Sequence, residues 1–102
     1  MKSFNFLLKE REEKPRQKGI TMVLDNGLGL ETAESLMNIS GDYVDYLKFG
    51  WGTSIVHEQD IIKDKVVMYK SHNITPYTGG TLFELAYMND KLEEFFQEAH
   101  DL

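Results

Sequence analysis

The chain has 102 residues, 41% of them hydrophobic and 27% charged, which suits one small globular domain. It lacks cysteine, so disulfides, thiolate metal sites and cysteine nucleophiles are excluded, any metal must be held by oxygen or imidazole, and a reducing cytoplasm is the expected compartment. A net charge of −6 argues against nucleic acid or an anionic membrane as the main partner, and no stretch approaches the roughly 20 apolar residues of a spanning helix, so no membrane partner is expected.

Residues 1–19, MKSFNFLLKEREEKPRQKG, hold a short apolar patch and then a dense charged run, with no small-residue cleavage site. They read as a solvated lead-in segment, with Arg16 or Lys18 able to fold over a site. Ile20 to Leu24 (ITMVL) is an apolar, partly β-branched run that predicts a strand, and DNGLGL after it predicts a loop. LETAESLMNIS then sets Leu30, Ala33 and Met37 on one helical face, with Ser40-Gly41 as a stop. A second strand is predicted from Tyr43 to Phe49, followed by the loop Gly50 to Ser54. In HEQDIIKDKVVMYKSHN, Ile62, Val66 and Tyr69 recur at helical spacing, with acidic residues early, Lys70 and His72 late, and Asn73 as a cap. ITPYTGGT reads as a short third strand. A last helix from Asp90 carries Leu92, Phe95, Phe96, Ala99 and Leu102 as a core stripe, after a turn or two around LFELAYM.

Strands alternating with helices imply parallel strands with helical crossovers, hence an α/β domain of three βα units over residues 20–102. Right-handed crossovers put every helix on one face of the sheet and leave the other bare. The fold therefore reads as incomplete, with a doubly wound sheet and an eight-stranded barrel as the two completions. Beginning at Met1 and stopping after a helix, the chain is expected to be the amino-terminal part of a longer product or a truncated gene product. Alone it is expected to associate through its bare face, and a homo-oligomer is one outcome.

In such folds ligands bind where the carboxyl ends of the strands meet their loops. Here these ends read LDNGLG, LKFGWGTS and TGGTLFE, all polar and glycine-rich. Alternation along the second strand sets Val44, Tyr46 and Lys48 on one face and Leu47, Phe49 and Trp51 on the other. In the first strand Thr21, Val23 and Asp25 share a face, expected to be that of Lys48. A lysine at that depth is costly unless it is paired or binds an anion. One reading is a structural Lys48–Asp25 ion pair; the favoured one is a substrate-facing cation, with the backbone amides of Gly50, Trp51, Gly52, Thr53 and Ser54 open to phosphate or carboxylate.

Asp25-Asn26 can coordinate Mg²⁺ through oxygen or form an Asx-turn at the Asn26-Gly27 bend. Glu84 can be a metal ligand or general acid/base, or the fourth residue of a Thr81-Leu-Phe-Glu84 capping box. Gly79-Gly80 before a helix suits an anion. His57, His72 and His100 read as solvated or capping residues, and Trp51 as a plug of the helix layer. A Schiff-base role for Lys48 is a further alternative.

The segments EREEKPRQKGITMVLDNGLGL, GDYVDYLKFGWGTS and YTGGTLFELA resemble the phosphosulfolactate synthase family, in order and with similar spacing, from about Phe4 to the carboxyl end. The resemblance implies a (β/α)8 TIM barrel of about 250 residues, of which this chain matches the first three units. It also implies Mg²⁺-dependent addition of sulfite to phosphoenolpyruvate, giving (2R)-phospho-3-sulfolactate, the first step of one route to coenzyme M. The family includes stress-associated members too, so a non-catalytic interaction protein is the alternative. Two positions depart from the family pattern: Asn26, where lysine is frequent, and Thr78, where proline is.

Overall fold

The computed structural model describes residues 2–50 and 57–102. Three strands, β1 (Met22–Asp25), β2 (Tyr46–Phe49) and β3 (Thr75–Thr78), form one parallel sheet in the order β1-β2-β3. Helix α1 (Leu30–Ser40) links β1 to β2, and α2 (Gln59–Ser71) precedes β3. The alternating βα order and the parallel sheet are thus as expected. The third unit differs: it carries two helices, α3 (Gly80–Met88) and α4 (Leu92–Asp101). Between them Asp90 takes a left-handed φ of 56°, a conformation Asp tolerates better than most residues, and this breaks the helical run.

Register fixes what each face carries. Met22, Tyr46 and Thr75 are partners, as are Leu24, Lys48 and Tyr77, and these six share one face. Val23, Leu47 and Pro76, with Asp25, Phe49 and Thr78, form the other. Only the second is covered. Ala33 and Met37 of α1 and Ile62, Val66, Met68 and Tyr69 of α2 pack with Leu47, Phe49, Val44 and Ile74 into the core. On the first face Met22, Leu24, Tyr46 and Tyr77 stay 41–50% exposed, with the two tyrosine rings edge to face at 6.5 Å.

The face expected for β2 is the one observed for Tyr46 and Lys48. The face expected for β1 is corrected: Val23 and Asp25 lie on the helix-covered side, and Asp25 pairs in register with Phe49 rather than Lys48. The Leu92 to Leu102 stripe is core only in part: Leu102 packs against the core and Leu92 and Phe95 are half-buried, but α3 and α4 contain no fully buried residue. Phe83 of α3 and Phe95 of α4 stack edge to face at 5.9 Å, which ties the two helices to each other. The chain is expanded, with one sheet face uncovered and the lead-in segment mostly exposed. Its radius of gyration is 15.6 Å, against about 13 Å for a compact domain of this length.

The lead-in segment holds the amino-terminal ends of the strands, opposite the polar rim. Lys14 Nζ donates to the carbonyls of Gly41 (2.7 Å) and His72 (2.9 Å), which end α1 and α2, so one ammonium serves two helix carboxyl termini. Arg16 donates to Asp45 Oδ1 at 2.8 Å and to the Asp42 carbonyl, while the Thr21 amide donates to Asp45 Oδ2 at 2.8 Å. Arg16 therefore does not fold over the rim. The Arg16–Asp45 pair is sheltered, at 6% and 8% exposure. Arg16→Ala leaves that carboxylate with one donor, and an expected loss of about 1.5–3 kcal/mol is checked by urea unfolding at low and high salt, with little change between the two.

Candidate anion site at the carboxyl ends of the strands

β1 ends on a carboxylate because Asp25 stabilises the turn after it. Asp25 Oδ1 accepts from the amides of Gly27 and Leu28, both at 2.9 Å, forming the Asx-turn anticipated at Asn26-Gly27, with Gly27 at a φ of 119° that glycine alone adopts readily. Asp25 Oδ2 accepts from Tyr69 Oη at 2.7 Å and lies 2.6 Å from Lys65 Nζ, which also donates to the Leu28 carbonyl at 2.7 Å. Asp25 and Lys65 are both 0% exposed. Burial alone would raise the Asp25 pKa, but the donors from Lys65, Gly27, Tyr69 and Leu28 outweigh it and hold the carboxyl below its ordinary range. Burial, then the bond to Asp25, pushes the Tyr69 phenol far up.

This cluster corrects two expectations. The cation paired with Asp25 is Lys65, not Lys48. Asp25 also faces the helix layer with both oxygens engaged, so it is not placed as a Mg²⁺ ligand. Glu84 is exposed in the second turn of α3, and among the described residues no group of three or more His, Asp or Glu is arranged to hold a metal ion. Nor does Thr81 cap the helix: α3 starts at Gly80, its N-cap is Gly79 without a side-chain cap bond, and Thr81 is already inside, so the capping box does not form. The described residues thus do not by themselves fit the metal that the resemblance implies.

The depressed Asp25 and Asp45 pKa values make the fold acid-labile. For Asp45, burial raises the pKa and is outweighed by the Thr21 amide and Arg16. A carboxyl whose folded pKa lies below its unfolded value of about 3.9 contributes stability above that value, lost as pH falls through the folded one. Acid titration followed by circular dichroism should show unfolding beginning below about pH 4, and Asp25→Asn should flatten the profile.

Lys48 occupies a different environment. It is half-buried on the bare face between Leu24 and Tyr77, and its ammonium makes no hydrogen bond or ion pair with a described residue. Its stem lies across Gly79: a Cβ built there would fall 2.8 Å from Lys48 Cε and 3.7 Å from Nζ. The ammonium is therefore beside the amino terminus of α3, whose first-turn N–H groups have no intrahelical acceptor. Helices α1, α2 and α4 carry acidic residues in their first turns (Glu31, Asp60, Glu93 and Glu94), and α3 carries none. An ammonium next to an uncapped helix amino terminus brings like charges together and favours an anion between them.

Of the other predicted anion contacts, Gly79 and Gly80 open α3 beside Lys48. Gly50 is corrected as an amide donor, because its N–H bonds the Asp25 carbonyl at 2.8 Å as part of the β1–β2 edge. Its lack of a side chain matters instead: a Cβ would fall 1.8 Å from Asn26 Oδ1 and 3.3 Å from the Asp25 carbonyl. Trp51, Gly52, Thr53 and Ser54 lie outside the described residues. Sequence reasoning missed Lys65, although its signal was present, since it falls on the same helical face as Ile62, Val66 and Tyr69.

The parallel three-stranded sheet with its alternating helices defines the class, an α/β protein built of βα units. The comparisons are specific. A family model described as (2R)-phospho-3-sulfolactate synthase (ComA) matches residues 9–102, and the chain belongs to that family. It is 58% identical over its whole length to a phosphosulfolactate synthase of Methanothermobacter thermautotrophicus, covering 40% of that protein. It is 45% identical to that of Methanocaldococcus jannaschii, covering 39% of it. Over 93% of this chain it is 38% identical to that of Bacillus subtilis, covering 37% of it. The chain thus spans about two-fifths of the length of these relatives.

Proposed function

We propose that this chain is the amino-terminal part of a phosphosulfolactate synthase-like carbon-sulfur lyase, a (β/α)8 barrel that adds sulfite to phosphoenolpyruvate to give (2R)-phospho-3-sulfolactate. The observation that carries the reading is Lys48, a cation on the uncovered sheet face beside the open amino terminus of α3. In a closed barrel that face lines the interior, and the strand carboxyl ends form the active-site rim. Lys48 and the first-turn amides of α3 hold the phosphate or carboxylate of phosphoenolpyruvate there. The sulfur lone pair of sulfite forms the bond to C3, the C2–C3 π electrons move onto C2 and into the carboxylate, and a proton delivered to C2 completes the product with its phosphate retained. Lys48 stabilises the negative charge that builds on the carboxylate. No described residue is assigned as the acid that protonates C2.

The Mg²⁺ that the resemblance implies would stabilise charge on the substrate oxygens; no described residue is assigned as its ligand. The test is sulfite-dependent loss of phosphoenolpyruvate, with phosphosulfolactate as product, by this chain continued with the remaining βα units of a full-length relative. Absence of that product in a folded protein would refute the reading.

The uncovered Met22, Leu24, Tyr46 and Tyr77 favour a second reading, a non-catalytic half-barrel that works by pairing with another chain. Size-exclusion chromatography of this chain separates the two. A monomer that unfolds cooperatively argues against obligate pairing, whereas a defined oligomer without anion affinity supports it.

A further inference from the structure

We propose that Gly79 is a positioning residue for Lys48, an inference that rests on reading Lys48 as the anion-holding cation. Gly79 is buried, and its φ of −74° and ψ of 160° are open to any L residue, so backbone conformation does not require glycine there. What a side chain there would displace is the lysine. A Cβ at residue 79 would sit 2.8 Å from Lys48 Cε, closer than real Cβ contacts come, while the next atom, the Phe49 carbonyl oxygen, is at an ordinary 3.6 Å. Of these two neighbours the flexible lysine stem yields first, and moving Cε carries the ammonium with it. Gly80 follows directly in the same helix start, yet a Cβ there meets no described atom within 4 Å. The two adjacent glycines therefore differ in kind. Gly79 sets where the charge sits; Gly80 contributes through its backbone alone.

A double-mutant cycle on this chain tests the inference, with inorganic phosphate and phosphoenolpyruvate as titrants and calorimetric Kd as readout. Lys48→Ala should weaken binding about tenfold or more, the loss of one charge-assisted contact. Gly79→Ala should weaken it severalfold in the parent chain and by less than about twofold when Lys48 is already alanine. If Lys48→Ala weakens binding and Gly79→Ala does not, the positioning role is wrong and the reading of Lys48 stands. If Gly79→Ala costs as much without Lys48 as with it, the loss comes from backbone or folding and the inference fails. If Lys48→Ala leaves binding unchanged, both fall.

Discussion

Lys65→Met is expected to destabilise the chain by about 3–5 kcal/mol, because it strands the Asp25 carboxylate in the core without its cation. A domain of this size has only about 5–15 kcal/mol of stability to lose. This one covers one face of its sheet, so the variant should be largely unfolded at room temperature. Asp25 also terminates β1 and shapes the turn into α1 through Gly27 and Leu28, so the loss should spread to the strand end carrying the rim. Combining Lys65→Met with Asp25→Asn should recover part of the loss. An amide oxygen still accepts from Gly27 and Leu28, and no unpaired charge remains. Urea unfolding of the three variants checks this; equal stability of Lys65→Met and the parent would show that the buried pair is not what ties β1 to α2.

Lys48→Ala should act oppositely, with little effect on folding and a large one on chemistry. The side chain is half-buried and forms no bond to a described residue, so its removal leaves no partner stranded. In the complete enzyme of the proposed reaction, turnover should fall by about 10²–10³-fold, the usual cost of one preorganised charge at a developing anion. Steady-state kinetics at saturating sulfite checks this, and near-normal loss of phosphoenolpyruvate would remove Lys48 from the mechanism. Lys48→Arg should recover binding more than turnover, since the longer planar head keeps the charge but shifts its place.

How much of this was legible in the sequence depended on how strongly each segment alternates. In Tyr46–Phe49 (YLKF) the larger apolar residues Leu47 and Phe49 alternate with Tyr46 and Lys48, and the faces read from it are the ones observed. In ITMVL every position but one is apolar, so parity was undetermined there, and Asp25 was put on the wrong side. That single slip hid the Lys65 pair, because a lysine among Ile62, Val66 and Tyr69 looks like an error in an apolar stripe until a carboxylate is known to face it. The stripe from Leu92 to Leu102 read as core because periodicity reports which side is apolar, not whether anything covers it. The proposed anion site is half legible: the pattern marks Lys48, Gly79 and Gly80, but the contact between lysine stem and glycine is a matter of ångströms that no pattern encodes.

The central claim is that the Lys48 ammonium and the first turn of α3 together receive a small anion. Titration of phosphoenolpyruvate into the isotopically labelled chain, followed by amide nuclear magnetic resonance, tests it most directly. The account predicts saturable shifts centred on Gly80, Thr81 and Leu82, lost in Lys48→Ala. Shifts confined to the lead-in cations Lys14 and Arg16, or unchanged when Lys48 is removed, would contradict it.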